Sequence, residues 1–356
     1  MKTPLPLLAA LAAGLLAACG QAAPAQPASS GGPSASGPGA VYDAARKEGQ
    51  LTVNTHDPDQ EAGAVDLFTK RYPGIKINWL TGRGTDIAEK VKTEAANNVY
   101  NLDVLDAGSQ DTAGLKDEGL TEAYQSPELA NVRQEFHDPD NFVNPQYVQV
   151  YGIVINTKLV PPEAEPKSWN DLLDPRWKGQ IAMQDPRGTG GTMSLMTAFS
   201  KDGSLGLDYV KKLAQQNIFI GRETQQLLTD TIRGEHAIQL GVSSANFVLE
   251  KQKNPAVPIK WIKPTEGEST SMIWLSIVKH APHPNAAHLW VDWRLSDEGQ
   301  TALAKEGQAA VRTGVKTPFD EGSVDGVRIL YLQTNQDVVK IKEYSQMWDD
   351  IFFNKK

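Results

Sequence analysis

From Leu51 onward the chain alternates short β-prone runs with helical stretches, and this alternation constrains its fold more than any other feature. "LTVNT" reads as a strand that stops where Asp and Pro favour a turn. "QEAGAVDLFTKRYPG" sets Ala64, Leu67, Phe68 and Tyr72 at helical spacing and ends at Pro-Gly. "IKINWL" is a strand, "TDIAEKVKTEAANN" a helix with Thr85 or Asp86 as its cap, and "LDVLDAG" a third strand. Strands separated by helices imply a parallel sheet with right-handed crossovers, so the fold class is α/β. A second pattern starts with the long strand "QYVQVYGIVINTKLVP". Strand, helix and glycine turn then recur up to "HAIQLGVSSANFVLEK", and "STSMIWLSIVK" is a long returning strand. "NAAHLWVDWRLSDEGQTALAKEG" reads as one helix and "DVVKIKEYSQMWDDIFF" as a closing amphipathic helix.

The first forty residues belong to neither pattern. "MKTPLPLLAALAAGLLAAC" has one early Lys, an apolar run and small residues before Cys19, which is the layout of a secretory signal. Its apolar part is shorter than the ~20 residues a membrane-spanning helix needs. Leu16-Ala17-Ala18-Cys19 resembles the bacterial lipobox, which implies cleavage before Cys19 and a diacylglycerol on its thiol. The next stretch contains only Gly, Ala, Pro, Ser and Gln, so it can bury no core and reads as a flexible tether. Roughly 315 residues remain, enough for two lobes or one large domain. Cys19 is the only cysteine, which excludes internal disulfides, thiolate catalysis and Cys-ligated zinc. The net charge is −8 with no basic block, so nucleic acid is not an expected partner.

Three segments resemble bacterial extracellular solute-binding proteins of ABC importers. The most specific is "VYGIVINTKLVPPEAEPKSWNDLLDPRWKGQIAMQDP"; "IVKHAPHPNAAHLWVDWRLSDEGQ" and the early "LTVNT" strand and helix support it. The resemblance covers roughly residues 41–320 and implies the two-lobed type II periplasmic-binding fold, joined by two hinge crossover strands. On that pattern, residues 1–19 are the signal and 20–40 the tether. Residues 41–148 and 272–320 form lobe 1, 149–271 form lobe 2, and 321–356 are a helical tail. The branch includes ferric-ion, phosphonate and hexose-phosphate binders, so the fold does not name the cargo. The implied partners are a small polar or anionic solute, an ABC permease and a membrane reached through the lipid. The expected state is an extracytoplasmic, membrane-anchored monomer without cofactor or resident metal.

In open α/β sheets ligands sit beyond the carboxyl ends of strands, where helix N-termini present unpaired N–H groups. Four strand-to-helix turns here carry the right residues. "NWLTGRGTDIAEK" offers Arg83 as a forked donor and Thr85 as a hydroxyl. "MQDPRGTGGTMSLM" offers Arg187, Thr189, Gly190, Gly191 and Thr192, whose adjacent glycines permit an anion nest; no Gly-Lys-Ser/Thr follows, so it is not a P-loop. "LDAGSQDTAG" offers Ser109, and "QLGVSSANFV" offers Ser243 and Ser244; for both, helix capping is an equally good explanation. His56 follows the first strand, where some ferric-ion binders place a ligand. A ferric-iron receptor is therefore the alternative reading, although the chain has no adjacent tyrosine pair; Tyr147 and Tyr151 near the hinge keep it open. Donors outnumber acceptors in these turns, which favours an anionic solute over a polyamine.

The competing class is a tethered extracellular hydrolase. "GVSSA" ends in Ala245 where a nucleophile elbow needs glycine. Downstream, His280, His283 and His288 share one turn, where Pro282 and Pro284 restrict convergence on a nucleophile or zinc. The residues therefore favour a receptor over an enzyme.

Overall fold

The computed structural model describes residues 38–55, 58–188, 190–324, 326–331 and 340–354. Cys19, tether residues 20–37, His56 and Thr189 lie outside them; residues 38–40, expected as the end of the tether, instead begin the first helix. The first half contains α1 (Pro38–Glu48), β1 (Gln50–Thr55), α2 (Pro58–Arg71), β2 (Lys76–Thr81), α3 (Gly84–Ala96), β3 (Val104–Gly108) and α4 (Ser109–Asp117). The short β4 (Thr121–Glu122) precedes the long β5 (Asn144–Asn156). Next come β6 (Ile181–Gln184), α5 (Gly191–Lys201), α6 (Gly206–Ala214), β7 (Phe219–Gly221) and α7 (Thr224–Arg233), then β8 (Ile238–Ser243), α8 (Ser244–Lys253) and β9 (Ile259–Ile262). The chain returns through β10 (Ser269–Val278), α9 (Pro284–Leu295), α10 (Asp297–Lys305) and β11 (Ala309–Ala310), and α11 (Ile341–Phe352) is the last helix described.

The strands order as β2-β1-β3-β10-β5-β8-β6-β7, with β4 on β10 and with β9 and β11 on β5. Both flanks are parallel, as the alternation of strand and helix requires. The centre is not: β10 and β5 run antiparallel to each other and to the flank strands they meet. The sheet is therefore mixed, because β5 and β10 are joined to their neighbours by long excursions and not by single helical crossovers. β5 changes partners along its length. Its first part pairs with β10 up to Tyr151, and its second part pairs with β8 and β9 from Tyr151 and Ile153 onward. At that point Trp261 lies across Gly152, where a Cβ would come within 2.4 Å of the indole, so only glycine fits. The Trp261 indole donates to the buried Glu268 at 3.0 Å, and burial pushes that carboxyl up to about 7.

Two large apolar clusters flank the crossover. One joins Val53, Phe68 and Val104 with Trp290 and Trp293, and extends to Phe247 and Trp261. The other joins Ile153, Trp169, Ile181, Phe199 and Leu240. Helical spacing in α2 is realised as Ala64 and Phe68 in the core, whereas Leu67 faces solvent. Phe68 meets Trp290 and Trp293 edge-on at 5.0 and 5.4 Å, and such pairs contribute about 0.5–1.5 kcal/mol beyond burial. The returning chain thus packs its α9 tryptophans against α2. The single helix expected over 285–307 is broken at Ser296, whose extended backbone and hydroxyl cap α10 through Gly299 N. α11 is a four-residue-repeat stripe, with Tyr344, Trp348 and Phe352 buried against the second cluster. Its Trp348 indole donates to Met193 Sδ at 3.2 Å, so the tail is seated on α5.

Candidate functional site

Three helices open onto one cavity of about 220 Å³. α3 contributes Thr85 from its first turn, α4 contributes Gly108, Ser109, Gln110 and Asp111, and α5 contributes Gly190, Met193 and Ser194. The first N–H groups of a helix have no partner within it, and the aligned peptide dipoles make that end equivalent to roughly half a positive charge. None of the three N-cap side chains satisfies these groups, since Arg83 makes no cap bond and the other two N-caps are Gly108 and Gly190. Each helix starts here because a strand ends here: β3 passes into α4 without a loop, and β2 and β6 reach α3 and α5 through short glycine turns.

The crossover strands line the cavity between these helices. Gln149 and Tyr151, two residues apart on β5, share a face, and Ser271 and Ile273 do the same on β10. Tyr151 donates to Gln149 Oε1 at 2.7 Å and lies 3.1 Å from Ser271 Oγ. Burial pushes its phenol up to about 12, against a smaller pull from Ser271, so it is protonated at neutral pH. The Ser109 hydroxyl accepts the Trp274 indole N–H at 2.9 Å and keeps its own proton to donate. Asp111 is held above the ordinary carboxylate range by burial, with the hydrogen bond from Thr85 pulling the other way.

Thr85, Ser109 and Gly190 are thus brought together in the wall. Gly191 and Thr192 follow Gly190 in the first turn of α5, where Thr192 is buried behind the wall. Arg83 occupies the N-cap of α3 outside the lining. Arg187 lines a separate groove with Ile341 and Asp349. Its guanidinium forks onto Asp185 at 3.0 and 2.7 Å, reaches Asp349 at 2.7 Å and stacks 3.8 Å from the Phe353 ring centroid. Ser243 caps α8 through Asn246 N, and the buried Ser244 donates to Gly307 O at 2.7 Å. The three histidines near residue 285 each have their own partner: His283 bonds Asp103, His288 bonds Glu122, and His280 packs edge-on against Tyr100. Reasoning from turns alone overlooked Gln149, Ser271, Asp111 and Ser194. For Gln149 the available signal was a polar residue between Val148 and Val150 in the middle of a long strand. For Ile341, contributed by α11, no local signal existed.

The sequence model of the family described as bacterial extracellular solute-binding protein matches residues 103–336. An uncharacterized protein of Haemophilus influenzae is 30% identical over 256 residues, covering 68% of this chain and 71% of that protein. A Salmonella typhimurium periplasmic protein, provisionally named for binding 2-aminoethylphosphonate, is 26% identical over 83% of this chain and 85% of its own. Among solved structures, the periplasmic binding protein AfuA of Actinobacillus pleuropneumoniae, with exogenous fructose-6-phosphate bound, superposes with a TM-score of 0.67 at 24% identity, covering 85% and 98% of the two chains. Iron-bound HitA of Pseudomonas aeruginosa superposes at 0.69 with 20% identity, covering 85% and 99%.

Proposed function

The chain belongs to the bacterial extracellular solute-binding proteins and has their two-lobed type II periplasmic-binding fold, and from that premise we propose that its cargo is a small solute bearing an oxyanion, delivered to the permease of an ABC importer. The observation that carries this reading is the convergence of α3, α4 and α5 on one cavity lined also by both crossover strands. First-turn amides hold an oxyanion without a counter-cation, and the Ser109 and Ser194 hydroxyls add donors. The ligand in one relative's name, 2-aminoethylphosphonate, and the exogenous fructose-6-phosphate bound in one solved structure share a phosphorus oxyanion, which agrees with such a cradle. Helices and crossover strands from both halves contribute to the wall, so solute would bridge the lobes and shift the population toward a closed state that the permease recognises.

Isothermal calorimetry with 2-aminoethylphosphonate, fructose-6-phosphate and inorganic phosphate tests the oxyanion. At least one should bind with one-to-one stoichiometry. Ser109→Asp keeps a favourable residue at a helix start but puts a like charge in the cradle, and should weaken that binding a hundredfold or more. An unchanged affinity would remove the α4 turn from the site.

Ferric iron as cargo is the second reading, favoured by iron-binding relatives and by Asp111 and Tyr151 in one wall. A phenol raised to about 12 is a poor source of phenolate, which hard Fe(III) prefers. Visible charge-transfer colour on adding ferric citrate would decide for iron. Release of the solute unchanged, as in a receptor, fits the engagement of Ser243 and Ser244 in capping and backbone bonds. We place the chain outside the cytoplasm, anchored as a monomer through Cys19. Intact-mass measurement of membrane-extracted protein should show cleavage before Cys19 with a diacylglycerol added.

A further inference from the structure

The cavity and the groove beside it meet at one side chain. The groove, of about 340 Å³, is lined by Arg187 and by Lys342, Ser345, Gln346 and Asp349, whose spacing puts all four on one face of α11. Ile341 lines both spaces, and among the described residues no other does. The apolar residues that follow it on α11 have a different task. Tyr344, Trp348 and Phe352 are buried in the second cluster, and Met347 and Ile351 pack against that cluster as partly buried residues. Ile341 is half-buried and belongs to neither group, so the stripe that seats α11 is complete without it.

The helix that carries Ile341 is fixed about two turns further along. Trp348 donates to Met193 Sδ at 3.2 Å, and Asp349 accepts from Arg187 at 2.7 Å. The β-branched side chain of Ile341 is also stiff at χ1 and has few ways to turn aside. On one side of it the cavity presents polar groups such as Gln149, Ser194 and Ser271, and on the other the groove presents Arg187, Lys342 and Gln346. Isoleucine can hydrogen-bond to none of these, so what it supplies between them is bulk. We infer that Ile341 is a specificity-determining residue: it ends the solute cavity on the α11 side and limits how far a bound solute extends from the helix N-termini. Trimming it to Cβ would join cavity and groove, and a longer solute would then place a polar end in the groove. Ile341 lies beyond residues 103–336, so the match to the family model does not set this limit. The inference rests on the oxyanion reading, which supplies the common head of the probes.

Paired probes test it: 2-hydroxyethylphosphonate and 6-hydroxyhexylphosphonate share the phosphonate and the terminal hydroxyl and differ in chain length. By calorimetry the full chain should bind the short probe about tenfold or more tightly than the long one. Ile341→Ala should bring the affinity ratio close to one by strengthening binding of the long probe, and Ile341→Val, closest in shape, should keep the parent's preference. A substitution that merely loosened α11 would weaken both probes alike and leave the ratio where it was. Equal binding of the two probes by the unsubstituted protein, a preference for the long one, or a ratio unmoved by Ile341→Ala overturns the partition and leaves the oxyanion standing. Binding of neither probe overturns both.

Discussion

The α4 turn and the α5 turn bring the same chemical feature, an uncapped helix start with a neighbouring serine, to one cavity by different means. At α4 the construction is local. β3 runs straight into the helix, Gly108 has an ordinary extended backbone with φ −66°, and a Cβ there would meet nothing within 4 Å. At α5 it is assembled from distant parts. Gly191 sits so close to Tyr151 that a Cβ would come within 2.5 Å of the ring and 2.8 Å of Gly241 O. Met193, in the same turn, receives the indole of Trp348 from the far end of the chain. Arg187, just before the turn, is tied to Asp349 on α11. A local turn tolerates change wherever its own backbone does, whereas an assembled one depends on every element that props it.

Substitutions can break this contrast, and the largest effect is expected farthest away in sequence. Trp348→Ala removes a fully buried indole from the α5–α11 contact and should cost about 3–5 kcal/mol in denaturant unfolding. It should also weaken solute binding, because Met193 lines the cavity. An effect on stability with no effect on affinity would mean that the tail does not support the α5 turn. Next come the two glycines, substituted identically. Gly191→Ala must displace an aromatic ring or a backbone carbonyl and should cost about 1–3 kcal/mol, with at least a tenfold loss of affinity. Gly108→Ala should stay within about 0.5 kcal/mol of the parent. Equal responses from the two glycines would abolish the distinction between local and assembled turns.

The candidate site was legible in proportion to this difference. Thr85, Ser109 and Gly190 could be singled out because a strand followed by glycine and a small hydroxyl residue describes a helix start wherever it occurs. Arg187 carried an equally suggestive local signal, yet its guanidinium is satisfied by two carboxylates, one of them 162 residues away. Ser243 and Ser244 looked the same as Ser109 in sequence, but their hydroxyls serve a cap and a carbonyl. Capping and ligand binding use the same residues at the same positions, so only the surroundings separate them.

By itself the sequence determined the α/β class, the parallel flanks, the family and the places where helices begin, because periodicity, glycine turns and local propensity act over a few residues. Tertiary structure decided which of those helix starts share a cavity, that Asp111 carries the only charge among the described residues of its wall, and that the final helix rests on α5. These outcomes depend on contacts between residues far apart along the chain. The free energy of such contacts comes from shape, burial and charge at a meeting point that no short segment contains.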